Sequence, residues 1–170
     1  MRLPFLVVFA AMLVVVAPAF AETPEEAVAY AFLGLANDAT LTRSATHLIW
    51  HETSMSPAVF EGHGEGQKGA YDVTFSVTKL ADCDFEIYLA GPPSMVRGGK
   101  TLYARIALAD IGGVVAGEFK VTIEGDGFCQ TGQLNPNCTR VHQTDLFGTL
   151  DAAKHARLVE QLHAEVCVSE

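Results

Sequence analysis

The four cysteines of the chain are its most informative reactive side chains: Cys83, Cys129, Cys138 and Cys167. They could act as redox thiols, bind a metal ion or form two disulfides. No Cys-x-x-Cys pair occurs, and eight residues separate Cys129 from Cys138, so the closely spaced pairs of a structural zinc site are missing. The compartment in which the protein folds decides between the remaining interpretations.

The first 21 residues have the three parts of a secretory signal peptide. Met1-Arg2 gives a positive start, an apolar run follows over residues 5–16, and Ala19-Phe20-Ala21 offers the small residues that cleavage requires. The apolar run is shorter than the roughly 20 residues that span a bilayer. We therefore predict a signal peptide over residues 1–21, cleavage before Glu22, and an exported protein without a stable membrane anchor. The many alanines and glycines favour a bacterial periplasm.

Export favours disulfides, because four cysteines in an oxidising compartment most often form two of them. Three pairings are possible. The turn-forming segment Asn135-Pro136-Asn137 lies directly before Cys138 and favours closure of a short Cys129–Cys138 loop. Cys83 then pairs with Cys167. In this interpretation the stretch CQTGQLNPNC is a tethered surface loop.

Three of the six histidines, His47, His51 and His63, lie close enough in the sequence to suggest that two of them share a metal ion. His47 and His51 lie in a predicted strand, where residues four apart are separated by about 13 Å, too far for one ion. A hairpin centred on Met55 would instead place His47 directly opposite His63, with Cβ atoms about 5 Å apart. We therefore name His47 and His63 as candidate ligands of one divalent metal such as copper or zinc. A protein without a cofactor and with surface histidines is favoured, since a slip in register separates the pair, and the metal site is the alternative.

The familiar catalytic motifs are missing from the sequence. There is no Gly-x-Ser-x-Gly and no His-Glu-x-x-His. The stretch GHGEGQKG, residues 62–69, departs from a phosphate-binding loop because Gly69 replaces the serine or threonine that should follow Lys68. We predict a hairpin loop there. No catalytic residue is assigned, and a protein that is not an enzyme is favoured.

Two helices are predicted, one near each end of the mature chain. Thr23 can cap a helix over about residues 24–36, with Glu26 completing a capping box. A second helix is predicted over about residues 152–166. His155 lies in its apolar stripe, where a core histidine bonded to the backbone is expected.

Between the helices the apolar residues alternate with polar ones. This alternation predicts strands over residues 71–78 and 83–89, joined by a short turn. Further strands are predicted over residues 44–52, 58–62, 101–109, 117–124 and 140–147. We predict an α+β fold, with a curved antiparallel sheet of about six or seven strands and both helices on one face. A small β-barrel with an appended helix is the alternative.

Residues 22–170 are predicted to form one exported domain, because a chain of this length can bury a substantial core. The formal net charge of -9 repels phosphate backbones, so nucleic acid is excluded as a partner. We favour a non-catalytic binding or accessory module whose partner is a protein or small ligand of the export compartment. A small periplasmic metal-binding protein or enzyme that uses His47 and His63 is the alternative.

The contact surface of such a module is predicted to be the tethered loop or a pocket between sheet and helices. A loop that a disulfide holds closed loses less entropy on binding than a free loop. Gln130, Asn135 and Asn137 of this loop are therefore candidate binding residues, together with Arg97 of the SMVRGG loop.

Overall fold

The computed structural model describes residues 22–43, 46–66, 69–92, 99–131 and 138–167. The predicted signal peptide, residues 1–21, lies outside these ranges. The candidate binding residues Arg97, Asn135 and Asn137 also lie outside them. What the sequence predicts for these residues therefore stays a prediction.

Two helices and ten strands are formed within the described ranges. The helices are α1 (Pro24–Leu33) and α2 (Ala152–Gln161), and a π-helical turn, Leu162–Val166, continues α2. The strands are β1 (Thr40–Arg43), β2 (Thr46–Met55), β3 (Ala58–Gly66), β4 (Gly69–Ala81), β5 (Asp84–Ala90), β6 (Lys100–Ala107), β7 (Ile111–Ala116), β8 (Lys120–Gly125), β9 (Phe128–Gln130) and β10 (Val141–Asp145). A 3₁₀ turn, Leu108–Asp110, joins β6 to β7.

The strands form two antiparallel sheets. Strands β1 to β6 follow one another in a meander, and β9 pairs with β6 as the seventh strand of this large sheet. Strands β10, β8 and β7, in that spatial order, form a second, three-stranded sheet. The predicted α+β fold with a seven-stranded antiparallel sheet is confirmed. The barrel alternative is wrong, because the edge strands β1 and β9 do not pair and the sheet stays open.

Helix α1 begins where the sequence predicts and ends earlier. The Thr23 hydroxyl accepts a hydrogen bond from the Glu26 N–H, and the Glu26 carboxylate accepts one from the Thr23 N–H, which completes the capping box. The helix ends at Gly34, which has a φ of 71°, rather than near residue 36. A Cβ at Gly34 would lie 3.1 Å from the Gly148 carbonyl oxygen. Both the backbone angle and this close approach favour glycine at the helix end.

Helix α1 is buried on every side. All residues from Glu25 to Leu33 are buried, because the helix contacts β3 and β4 of the large sheet, β10 of the small sheet, and α2. A helix surrounded in this way needs apolar or small residues all round its axis rather than in one stripe. Its alanines supply them: Ala27, Ala29 and Ala31.

Helix α2 covers α1 with one face. The Asp151 side chain caps it by accepting a hydrogen bond from the Lys154 N–H at 2.7 Å. His155 is buried, and its Nε2 donates to the Ala31 carbonyl oxygen at 3.0 Å. The prediction of a core histidine bonded to the backbone is therefore confirmed. The other buried side chains of this segment are Leu158, Leu162 and Val166.

Both predicted disulfide pairings are present. Cys129–Cys138 joins β9 to the segment before β10, and Cys83–Cys167 joins the turn between β4 and β5 to the end of the π-helical turn. Cys83 lies in that turn, with a φ of 69°, and not in a strand over residues 83–89 as predicted. The second disulfide therefore ties the last helical segment to one end of the large sheet.

Strand β3 includes residues for which the sequence predicts a loop. The stretch GHGEGQKG contributes residues 62–66 to β3 and Gly69 to β4. A Cβ at Gly62 would come within 2.6 Å of the Trp50 ring, and one at Gly64 would overlap the His47 carbonyl oxygen. These glycines permit close packing within a hairpin, so the prediction of a loop over the whole stretch is wrong.

Side chains bond to the backbone at both edges of the large sheet. Beyond the four-residue β1, the Asn37 side chain accepts a hydrogen bond from the Glu52 N–H at 3.1 Å, and the Thr23 hydroxyl donates to the Met55 carbonyl oxygen at 2.8 Å. Beyond the three-residue β9, the N–H and hydroxyl of Thr131 each donate to a carbonyl oxygen of β6 at 2.9 Å.

Candidate functional site

An acidic cavity lies where the start of α1, the strands β2 and β3, and helix α2 meet. It encloses a volume of about 250 Å³. Its described lining consists of Glu22, Glu26, Tyr30, Leu35, Ala36, Asn37, Glu52, Phe60 and Lys154. Three of these side chains are carboxylic acids and one is an amine. The wall therefore has more groups that can be negative than groups that can be positive.

The first turns of α1 place Glu26 and Tyr30 on the cavity wall. Because they are four residues apart in a helix, their side chains lie on the same face. The capping hydrogen bond from the Thr23 N–H fixes the Glu26 carboxylate. The buried Tyr30 hydroxyl accepts a hydrogen bond from the Asp151 N–H at 2.8 Å. The start of α2 is thus joined to the second half of α1 at the wall of the cavity.

Glu52 reaches the cavity from β2, beside the irregularity in the β2–β3 register. Its Oε1 is buried and has no hydrogen-bond partner among the described residues, and the same holds for Oε2 of Glu22. A buried polar atom without a partner destabilises the fold, because it loses water and gains no donor. These two oxygens are therefore the unusual feature of the cavity.

Burial raises the pKa of Glu52 to about 7 from an ordinary value of 4.5. The negative charges of the nearby Glu26 and Glu22 carboxylates raise it further. All of these effects favour the protonated form of Glu52. A cation next to Glu52 would oppose them and lower its pKa.

Lys154 supplies the only amine of the described lining. Its Nζ donates to Oε1 of Glu22 at 2.5 Å and lies 4.3 Å from the centre of the Tyr30 ring. The ammonium group is thus engaged by one carboxylate and one aromatic face. Glu26 and Glu52 have no ion-pair partner among the described residues.

A second opening, of about 420 Å³, lies along β5 and β6 near Cys129. Most charged groups of its described lining are paired: Arg105 Nε donates to Glu86 Oε1 at 3.0 Å, and Asp126 lies 3.9 Å from the Arg140 guanidinium, while Asp84 is exposed to solvent. We therefore take the acidic cavity as the candidate site.

The predicted direct pairing of His47 with His63 is wrong. The β2–β3 register places His47 opposite Glu65 and His63 opposite Ile49. The turn of the hairpin lies after Met55 rather than at it, and the register irregularity shifts the pairing further. The histidines are exposed on the surface of the sheet and lie away from the acidic cavity.

Of the predicted binding residues, only Gln130 lies within the described ranges. It pairs with Ala104 at the end of β9 and is partly buried. Residues 132–137 of the tethered loop lie outside the described residues. A contact surface on this loop stays a prediction.

His142 is buried in β10, where it has no polar partner in the described part of the chain. Its ring centre lies 4.8 Å from that of Phe128, and neither ring nitrogen has a hydrogen-bond partner among the described residues. Burial lowers the pKa of His142 below its usual value. Burial also lowers the pKa of His155, although the hydrogen bond to the Ala31 carbonyl opposes this effect.

Replacement of His142 by leucine is expected to make the fold less sensitive to acid. The unfolded chain binds a proton on this imidazole near pH 6.5, whereas the folded chain binds it only at lower pH, so stability is lost as the pH falls below 6.5. Urea unfolding at about pH 8 and about pH 5.5 measures the loss, with fluorescence of the single, buried Trp50 as the signal. The loss should be smaller in His142→Leu than in the wild type or in the exposed control His47→Ala. An unchanged loss would contradict the prediction.

Glu22, Glu52 and Lys154 were not predicted from the sequence as site residues, and Glu26 was predicted only as part of a helix cap. These residues come from three separate parts of the chain, so their convergence depends on tertiary structure. One signal was available: Glu52 follows the buried Leu48 and Trp50 at every second position of β2. An acid at such a position faces the interior and is a candidate for function.

No group of three or more histidine, cysteine, aspartate or glutamate side chains in the described ranges is arranged to hold a metal ion. In the same part of the chain, no helix is long and apolar enough to cross a membrane.

Comparison of the sequence and structure with protein-family models, curated proteins and solved structures found no match. The functional assignment therefore rests on the geometry of the cavity.

Proposed function

We propose that the protein is an exported, disulfide-stabilised, non-catalytic binding module that takes a small cationic ligand in the acidic cavity. The observation that carries this proposal is Oε1 of Glu52, which is buried near Glu26 without a partner among the described residues, in a cavity whose described lining has one amine, already engaged. Native proteins rarely bury such groups unless a ligand, an ion or water satisfies them. An ammonium or guanidinium group would supply both the missing donors and the missing positive charge.

The dimensions of the cavity favour a small ligand. Its volume of about 250 Å³ is close to the lower end of the usual range for ligand pockets, roughly 300–1,000 Å³. The described wall also has apolar and aromatic surface, from Leu35, Phe60 and Tyr30. Such a wall suits a short carbon skeleton with an amine at one end.

Export is supported by two independent features. The sequence predicts a signal peptide over residues 1–21. The chain also has two disulfides, and disulfides form and persist in oxidising compartments. Residues 22–170 would then form the mature domain. The composition favours a bacterial periplasm as its location.

A carboxyl group with a pKa near 7 could also serve as a general acid or base. The described lining, however, offers no serine, cysteine or histidine as a nucleophile beside Glu52. Its other groups that can carry a proton are already hydrogen-bonded: Glu26 to the Thr23 N–H, Tyr30 to the Asp151 N–H and Lys154 to Glu22. Binding therefore accounts for the cavity with fewer assumptions than catalysis.

Titration of the mature chain with primary amines tests the proposal. The probes are methylammonium, butylammonium and 1,4-diaminobutane, added at about pH 8, where most Glu52 is ionised. We expect saturable shifts of the backbone amide NMR signals of Asn37 and Glu52. Below about pH 6 binding should weaken, because protonation of Glu52 competes with the amine.

Two variants make the titration specific. Glu52→Gln is expected to weaken amine binding at least about tenfold, since it removes one charged acceptor. Glu124→Gln changes an exposed carboxylate of the small sheet and should leave binding unchanged. Equal affinities in the wild type and in Glu52→Gln, or no saturation with any probe, would contradict the proposal.

A further inference from the structure

Three exposed histidines share the outer face of β2 and β3: His47, His51 and His63. Two of them are close together. The register pairs His51 with Glu61 and Ile49 with His63, so His51 and His63 are diagonal neighbours across the two strands. Their ring centres are 6.0 Å apart.

A carboxylate lies at Nδ1 of each of these two rings. Nδ1 of His63 is 2.8 Å from Oδ1 of Asp72, and Nδ1 of His51 is 3.6 Å from Oδ1 of Asp38. Because an ionised carboxylate only accepts hydrogen bonds, the neutral His63 ring carries its proton on Nδ1 and a free lone pair on Nε2. Metal-binding histidines commonly have this arrangement, with the second ring N–H donated to a carboxylate.

The spacing of the rings is compatible with one shared ion. An imidazole nitrogen binds zinc at about 2 Å, so the ring centre is about 3 Å from the ion and two rings on one ion have centres up to about 6 Å apart. The observed 6.0 Å is at this limit, and small rotations of exposed side chains can shorten it. We propose that His51 and His63 form a binding site for one divalent ion that favours imidazole, such as Cu(II), with water as the remaining ligands.

The surroundings of the pair favour a cation. Asp38, Asp72 and Glu61 lie around the two rings and carry negative charge near the ion. Since no third histidine, cysteine or carboxylate in the described ranges completes a ligand group, the site is expected to exchange its ion readily. The proposal is independent of amine binding in the acidic cavity.

Titration of Cu(II) into the untagged mature protein, in a non-coordinating buffer at about pH 7.5, tests the site. Trp50 precedes His51 in β2 and is the only tryptophan, so quenching of its fluorescence reports a nearby Cu(II) ion. We expect one saturable phase that corresponds to one ion per chain. The electron paramagnetic resonance spectrum should show two nitrogen ligands.

Single substitutions distinguish this site from other copper-binding groups. His51→Ala and His63→Ala should each weaken Cu(II) binding at least about tenfold, and Asp72→Asn about tenfold. His47→Ala is the matched control, because His47 lies on the same face of the same strand as His51. The Cu(II) affinity of this variant should equal that of the wild type. All four positions are exposed, and urea unfolding checks that each variant is folded.

Two results would overturn the proposal. An equal loss of affinity in His47→Ala would show that the three histidines bind copper without distinction. Undiminished Cu(II) binding in the double variant His51→Ala/His63→Ala would place the ion elsewhere on the chain.

Discussion

Removal of the Cys83–Cys167 disulfide, in the variant Cys83→Ala/Cys167→Ala, is expected to lower the free energy of unfolding by about 4 kcal/mol. The bond joins residues 84 positions apart, so its loss releases a long loop in the unfolded chain. The bond also ties the end of the last helical segment to the large sheet. Helix α2 has ten residues, a length that is marginal for a helix without tertiary support.

The matched control is Cys129→Ala/Cys138→Ala. These cysteines are nine positions apart, and the shorter loop is expected to contribute about 2.5 kcal/mol. Urea unfolding of both variants, followed by Trp50 fluorescence under non-reducing conditions, measures the two losses. If the first variant lost no more stability than the second, packing of Leu158 and Leu162 would be enough to hold the helix.

Replacement of Glu52 by glutamine is expected to stabilise the ligand-free protein at about pH 8 by about 1–2 kcal/mol, after allowance for partial solvent screening. The folded pKa of about 7 lies above the ordinary 4.5. The penalty of ionising Glu52 in the folded state is therefore absent below pH 4.5, grows as the pH rises, and is complete above pH 7. Glutamine removes this penalty, so the gain should vanish at about pH 4.5.

Measurement of the free energy of unfolding at both pH values, with Glu124→Gln as an exposed control, tests this prediction. A loss of stability in Glu52→Gln at about pH 8 would contradict it and show that a cation already pairs with Glu52. Cleavage before Glu22 would create one such cation, because the new α-amino group would belong to a residue that lines the cavity. The sign of the effect thus distinguishes an open acidic cavity from one that the chain itself neutralises.

Local signals in the sequence were sufficient for the helix start and for the disulfides. The capping box of Thr23 and Glu26 needs only four residues, and its partners are in the same turn. The Cys129–Cys138 pairing follows from loop length and turn-forming residues, and it leaves one pairing for the other two cysteines. The alternating pattern identified β4 and β5 of the large sheet because one face of each strand is buried.

The strand register, and the way residues from distant parts of the chain come together, could not be predicted. The β2–β3 hairpin contains an irregularity between Glu52 and Ser54, and no local pattern indicates where an extra residue enters a strand. Strand β9 is three residues long, too short for alternation to show, and Gly112-Gly113 weakens the pattern of β7. The separate small sheet and the acidic cavity both depend on contacts between distant parts of the chain.

The covered edges of the large sheet limit how another polypeptide can bind to it. A peptide that adds a strand needs a run of free backbone N–H and C=O groups. The edge strands β1 and β9 offer runs of four and three residues, and beyond them Asn37, Thr23 and Thr131 bond to the backbone of the neighbouring strands. Along the described part of these edges, a partner or a second copy of the chain can form few hydrogen bonds, so growth of the sheet into fibrils is disfavoured. Recognition through this sheet therefore has to use the side chains of its exposed face.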